Sequence, residues 1–186
     1  MRIELKDISK KYGNIEVIKN FSAVFEDGKI YQIAGDSGSG KTTLLHIIMG
    51  LVKPDSGRVS PEGIRFSAVF QEDRLLENLS SIDNLRAVGI EGDIRSELNK
   101  LLPEEELDKR VSEFSGGMRR RVCIARALLA ESDVIILDEP FSGLDTKNIN
   151  NVVEYIMAQK KDRILIITSH TKICEDFCKD SSVIYL

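Results

Sequence analysis

The chain has 186 residues, 42% hydrophobic, 30% charged and 6% aromatic, with 13 glycines and only 4 prolines. That balance describes one globular domain, 1–186, with a sizeable core, and it excludes a disordered or fibrous chain. Lys and Arg number 26 against 30 Asp and Glu, a net charge of −4, which gives no global electrostatic reason for a nucleic-acid partner.

Arg2–Ile8 alternates polar and apolar residues and predicts a half-buried strand. Val17–Glu26 predicts a second, with Tyr12-Gly13-Asn14 as turn material between them. Lys29–Ala34 is a mostly apolar strand ending at a glycine, Thr42–Gly50 is a helix with one apolar face, and Phe66–Phe70 is another short strand. Over Ser80–Glu113 the character changes. Ser80-Ser81-Ile82-Asp83 caps a helix, Ile94–Leu102 predicts the next, Pro103 ends it, and Glu104–Glu106 opens a more polar one. Met118–Ala130 is an amphipathic helix, and Asp133–Asp138 holds an apolar run of the kind buried on both faces of a parallel sheet. Asn148–Gln159 is helical, Arg163–Thr168 is a buried strand, and Val183–Leu186 supplies a last short one. Strands alternating with helices predict an α/β fold: a mostly parallel sheet, an antiparallel N-terminal β flank, and a helical subdomain inserted over 72–115.

The longest uncharged apolar stretches, Leu44–Val52 and Ile164–Thr168, are too short to span a bilayer. Met1–Asp7 alternates charge with apolar residues and does not read as a signal peptide. Any membrane role is therefore expected to come through a partner. Cys123, Cys174 and Cys178 lack metal-ligand spacing and read as reduced thiols of a cytosolic protein.

Gly35-Asp36-Ser37-Gly38-Ser39-Gly40-Lys41-Thr42 fits G-x-x-x-x-G-K-[ST] without a mismatch, between a predicted strand and a predicted helix. The glycines let backbone N–H groups converge on phosphate oxygens, and the helix N-terminus adds its positive dipole end. Lys41 is placed to reach the β- and γ-phosphates, and the Thr42 hydroxyl to ligate Mg²⁺, with Thr43 completing the phosphate-binding segment. Asp138 ends the apolar run Val134–Leu137, where a second Mg²⁺ ligand acting through water is expected. Glu139 follows and is the candidate general base for the attacking water. Phe114-Ser115-Gly116-Gly117-Met118 opens the amphipathic helix; by itself it is either a capped helix start or a second anion site. Arg119-Arg120-Arg121 reads as a solvated face or a set of ion pairs rather than a nucleic-acid patch.

Over essentially its whole length the chain resembles the ATP-binding cassette (ABC) ATPases, a P-loop NTPase family. The matching segments fall in the family's order: phosphate loop 35–42, Gln71 after a strand, SGG at 115–117, the apolar-Asp-Glu run 134–139, Ser142-Gly143-Leu144-Asp145, and His170 after a strand. The resemblance implies that Tyr12 stacks on adenine, that Gln71 touches Mg²⁺ and the attacking water, and that His170 bonds the γ-phosphate and steadies the water with Glu139. It further implies that Ser115, Gly116 and Gly117 act on the phosphates held by a second subunit, and that Asp145 crosses to that subunit. Two chains, a homodimer in the simplest case, would close head to tail around two ATP molecules. His46 has no counterpart in the family pattern and reads as structural.

Phe114 and Met118 replace the usual leucine and glutamine beside SGG. Gly117-Met118-Arg119 and the segment Phe70–Leu76 resemble the group that imports nitrate, sulfonate and taurine, although Glu77-Asn78 departs from it. The chain ends at Leu186, soon after His170, which is short for the family. The resemblance therefore implies an ATPase subunit that energises integral membrane transport subunits from the cytoplasmic, inner face of the cell membrane. The alternatives are a soluble ABC-type ATPase that drives assembly of another complex, and a small-molecule kinase, which would leave SGG and His170 unexplained.

Overall fold

A computed structural model describes residues 1–169 and 181–186. Two sheets are stacked. β1 (Arg2–Tyr12), β2 (Ile15–Glu26) and β4 (Ser56–Ser60) form an antiparallel sheet in the order β2-β1-β4. β3 (Ile30–Ala34), β5 (Phe66–Val69), β6 (Val134–Asp138), β7 (Ile164–Thr168) and β8 (Ser182–Tyr185) form the second sheet, in the order β5-β6-β7-β3-β8. Every pair in it is parallel.

The apolar runs of β6 and β7 explain the layering. All five residues of each strand are buried, and alternate side chains enter different cores. Val134, Ile136, Ile164 and Ile166 pack with Ile3, Leu5, Phe25 and the apolar face of α1 (Lys41–Ile48), between the two sheets. Ile135, Leu137, Leu165 and Ile167 face the other way, onto α4 (Gly116–Leu129) and α5 (Thr146–Lys160). That second core continues without a break into Leu85 of α2 (Ser81–Arg86) and Leu98 of α3 (Ile94–Asn99). Asn151 and Tyr155 of α5 also bond α3 and its cap, through Lys100 O and Glu97 Oε2 at 2.9 and 3.1 Å.

Several expectations need correction. β1 runs through Tyr12, so the turn is tighter than the Tyr12-Gly13-Asn14 reading. α3 stops at Asn99 rather than Leu102, and Glu104–Glu106 makes a single 3-10 turn. α4 starts two residues earlier, at Gly116, because Ser115 caps it: its hydroxyl accepts from the Met118 N–H at 3.3 Å. β4 was not anticipated; Ser-Gly-Arg-Val-Ser lacks an alternating apolar face, and its pairing with β1 comes from tertiary context. The predicted cap at Ser80 is present, its hydroxyl accepting from the Asp83 N–H at 3.1 Å.

The parallel strands end level with one another. Val69 lies opposite Leu137, Asp138 opposite Thr168, and Ile33 opposite Thr168. Whatever follows β3, β5, β6 and β7 therefore emerges along one edge, the edge where open α/β sheets bind ligands.

Candidate functional site

The loop from Gly35 to Gly40 leaves β3 at that edge and turns directly into α1. Its backbone demands glycine at two points. A Cβ on Gly35 would lie 2.6 Å from Ser39 Oγ, and one on Gly40 would lie 2.7 Å from Val17 Cγ1. Gly40, at φ +101°, is the N-cap of α1 and supplies no side-chain cap, so the first N–H groups of the helix stay open to an incoming anion. Lys41 is only 7% exposed, and its ammonium donates to Gly35 O and Asp36 O, both at 2.8 Å. The cation is folded over its own loop.

Thr42, one residue on, reaches across the edge. Its hydroxyl donates to Asp138 Oδ2 at 3.0 Å, and Gln71 Nε2 approaches the same hydroxyl oxygen at 3.5 Å. The other carboxylate oxygen, Asp138 Oδ1, accepts from the Thr168 hydroxyl at 2.6 Å. Thr168 in turn accepts the Glu139 backbone N–H at 3.0 Å, so it fixes both acidic residues at the end of β6. Sequence reasoning missed Thr168, whose one signal is a polar residue closing an otherwise apolar buried strand. Asp138 is 4% exposed, and among the described residues no cationic side chain forms an ion pair with it. Glu139 sits half-buried at φ +50°, in the left-handed region that a side chain enters only when its surroundings hold it there.

These groups line one cavity of about 380 Å³, which gathers Tyr12, Ser37, Gly38, Gly40, Lys41, Thr42, Thr43, Gln71, Asp138 and Glu139. Tyr12 stands at its mouth, 51% exposed, with Lys10 Nζ 5.5 Å from its ring centre. Ten of the expected site residues thus meet in space although they come from four distant segments. Two sets do not. Ser115, Gly116 and Gly117 are not part of this cavity. Gly117 instead packs beneath the Gly143 carbonyl, where a Cβ would come within 3.2 Å of the oxygen. Asp145 caps α5, accepting from the Asn148 N–H at 2.9 Å, a bond that together with the nearby Arg121 holds its carboxyl below the usual range. His170, Cys174 and Cys178 lie outside the described residues.

The arginine run matches its sequence reading in part, since Arg119 and Arg120 both pair with acids. Arg119 meets Asp73 and Glu77 at 3.5 and 2.8 Å. Arg120 and Arg121, however, are not a solvated face. Arg120 is 6% exposed and donates to the carbonyls of Phe70 and Gln71, while Arg121 donates to those of Gly117 and Leu101. Except for Gly117, one turn back on the same helix, their targets are backbone oxygens far away in sequence, which composition on a helix face cannot reveal. Cys123 is buried in α4, its thiol pushed up to about 12 chiefly by burial.

Comparison with known proteins shows the family of the chain. The family model "ABC transporter" matches residues 18–142. The chain is 37% identical over 171 residues to the sulfate/thiosulfate import ATP-binding protein CysA of Acinetobacter baylyi, covering 79% of this chain and 48% of that one. It thus spans about half the length of that relative. It is 32% identical over 187 residues to the uncharacterized ABC transporter ATP-binding protein YybJ of Bacillus subtilis, covering 91% and 86%. Among solved structures, the bacterial ABC transporter cassette MJ0796 in dimeric form superposes with a TM-score of 0.85 at 25% identity, over 99% of this chain and 94% of that one. The same cassette is also known as a dimer bound to ADP and Pi, with a TM-score of 0.84. With the family model covering most of the chain and the fold in agreement along its length, the chain belongs to the ABC transporter ATP-binding family.

Proposed function

We propose that this chain binds and hydrolyses ATP and that two copies, closing head to tail, energise integral membrane transport subunits. The observation that carries the reading is the split of the expected machinery. Lys41, Thr42, Gln71, Asp138 and Glu139 share one cavity, whereas Ser115–Gly117 and Asp145 lie outside it. Such a site is half of a composite one, and a two-fold partner is the simplest source of the missing half. The dimeric cassette structures support that reading.

The residues present fit a bound Mg²⁺. A buried carboxylate without a described cationic partner, a hydroxyl and an amide are the hard oxygen donors that Mg²⁺ takes beside phosphate and water. Thr42 and Gln71 would hold the ion, with Asp138 acting through water, and bound there it would neutralise charge on the β- and γ-phosphates. The N–H groups of residues 35–43 and the Lys41 ammonium would cradle the phosphates, and Tyr12 would cover the adenine by stacking. Glu139 would accept a proton from the attacking water, and His170 would steady that water from the γ-phosphate side.

In the dimer, Ser115, Gly116 and Gly117 would donate to the partner's γ-phosphate, and Asp145 would lie against the partner. Loss of the γ-phosphate removes the contact that favours closure, so hydrolysis opens the pair. Residues 72–115 would then act as an inserted helical subdomain that passes this movement to the membrane subunits. Leu76, Leu79 and Val88 expose apolar side chains in that segment, surface suited to a docking helix. No helix among the described residues is long and apolar enough to cross a membrane, which supports a peripheral place on the inner face held by those subunits. Gly117-Met118-Arg119 and Phe70–Leu76 resemble the group that imports nitrate, sulfonate and taurine, and Glu77-Asn78 departs from it.

The test is a partner census. Tagged chain carrying Glu139→Gln is recovered from gently solubilised host membranes with ATP present, and co-purifying proteins are identified by mass spectrometry. A multi-span membrane protein in fixed ratio is expected. Soluble partners alone, with the chain absent from membranes, would replace transport by complex assembly.

A further inference from the structure

The loop that carries Gln71 is held by the helix that begins at Ser115. β5 ends at Val69, so the sheet's ladder of hydrogen bonds stops before Gln71. Beyond that point α4 takes over. Arg120, buried at 6% exposure, donates from Nη1 to Phe70 O at 2.5 Å and from Nη2 to Gln71 O at 2.9 Å. Its charge faces Asp73 Oδ1 at 3.6 Å. Arg126, farther along the same helix, donates to Asp73 O at 3.1 Å and Arg74 O at 2.9 Å. Arg74 itself sits at φ +47°, a backbone conformation that persists where neighbours impose it. The carbonyls of Phe70, Gln71, Asp73 and Arg74 therefore all end on one helix.

Geometry makes Arg120 the member that matters for Gln71. A guanidinium presents two parallel donors at fixed spacing, and here each takes one of two successive carbonyls. That fixes the peptide plane on either side of the Gln71 Cα, and with it the direction from which the amide approaches Thr42 Oγ1 at 3.5 Å. A lysine would keep the charge beside Asp73 but, as a point donor on a flexible stem, cannot define both carbonyls.

We propose that Arg120 is a positioning residue: its two-pronged hold on the Phe70 and Gln71 carbonyls aims the Gln71 amide at Thr42 and makes the glutamine loop move as one piece with Ser115–Gly117. The kinetic half of this inference rests on the ATPase reading above; the structural half does not.

Both halves are tested with Arg120→Lys, chosen because Arg120→Ala would leave buried acceptors unpaired and confuse misfolding with misplacement. In the nucleotide-free protein, the ¹⁵N order parameter of the Gln71 amide is expected to fall from about 0.85 to below about 0.6, while that of Thr42 holds. With ATP, kcat is expected to fall about tenfold with KM changed less than about threefold. Added to Gln71→Ala, Arg120→Lys should lower kcat no further, since a residue acting through Gln71 has nothing left to position. An unchanged Gln71 order parameter, or losses that multiply in the double variant, would overturn the proposal. Full turnover by Glu139→Gln would instead sink the hydrolytic reading, and the order parameters would still decide whether Arg120 holds the loop.

Discussion

Thr42 and Asp138, 96 positions apart in the chain, are joined by a 3.0 Å hydrogen bond from the threonine hydroxyl to the carboxylate. The bond ties the first turn of α1 to the last residue of β6, and Thr168 holds the carboxylate's other oxygen at 2.6 Å. Asp138 therefore has its direction set before any ligand arrives, with its charge left for a cation.

Asp138→Asn tests that assignment. The amide is nearly isosteric, but one of its two ends becomes a donor and cannot accept from both threonines. ATP affinity measured by calorimetry without Mg²⁺ should change less than about threefold, while the gain that Mg²⁺ confers should shrink about tenfold or more. Equal losses with and without the ion would place Asp138 outside the metal site.

Lys41→Ala should weaken ATP binding about a hundredfold, ~3 kcal/mol, the upper range for hydrogen bonds to a charged group. The variant also frees the carbonyls of Gly35 and Asp36, so its melting temperature is measured alongside. Near wild-type affinity in a folded variant would contradict the placement of the ammonium on the phosphates.

A composite site makes a sharper demand. Lys41→Ala spoils a chain's own cavity, and Ser115→Ala spoils what it lends to its partner. Each variant alone should be inactive. An equal mixture should recover about a quarter of wild-type turnover, because half the dimers are mixed and each holds one intact site of two. A mixture as inactive as its parts would argue against head-to-tail sharing.

Much of this site is legible in the sequence because its rules are local. A glycine-rich loop between an apolar strand and an amphipathic helix needs no tertiary knowledge, and neither does an acidic pair closing a buried run. What was illegible depends on distant backbone. Arg120 looks like one of three surface cations until Phe70 and Gln71 supply its acceptors. Thr168 looks like the frayed end of β7 until Asp138 arrives beside it. β4 carries no alternating pattern of its own; β1 gives it a partner, and Gly57 permits the close approach to the Lys6 and Asp7 carbonyls.

Cys123 gives a pH test of the α4 packing. Burial lifts its thiol to about 12, so at pH 8 the reactive thiolate is scarce in the folded chain. Peptide-resolved alkylation at pH 8 should leave Cys123 unmodified in the folded chain and label it rapidly in denaturant. The sign for stability follows from the raised value: the contribution is whole below about pH 9 and is lost as pH climbs toward 12. Fast labelling of the native protein would mean that α4 opens far more readily than its buried contacts imply.

In the proposed cycle Glu139 carries hydrolysis in a site that ATP itself completes by joining two chains. Sedimentation of the Glu139→Gln variant, with and without MgATP, puts both halves of that cycle on trial. A monomer without nucleotide, a stable dimer with MgATP, and turnover reduced at least about a hundredfold are expected. A variant that stays monomeric with saturating ATP, or that still hydrolyses it at the wild-type rate, would contradict it.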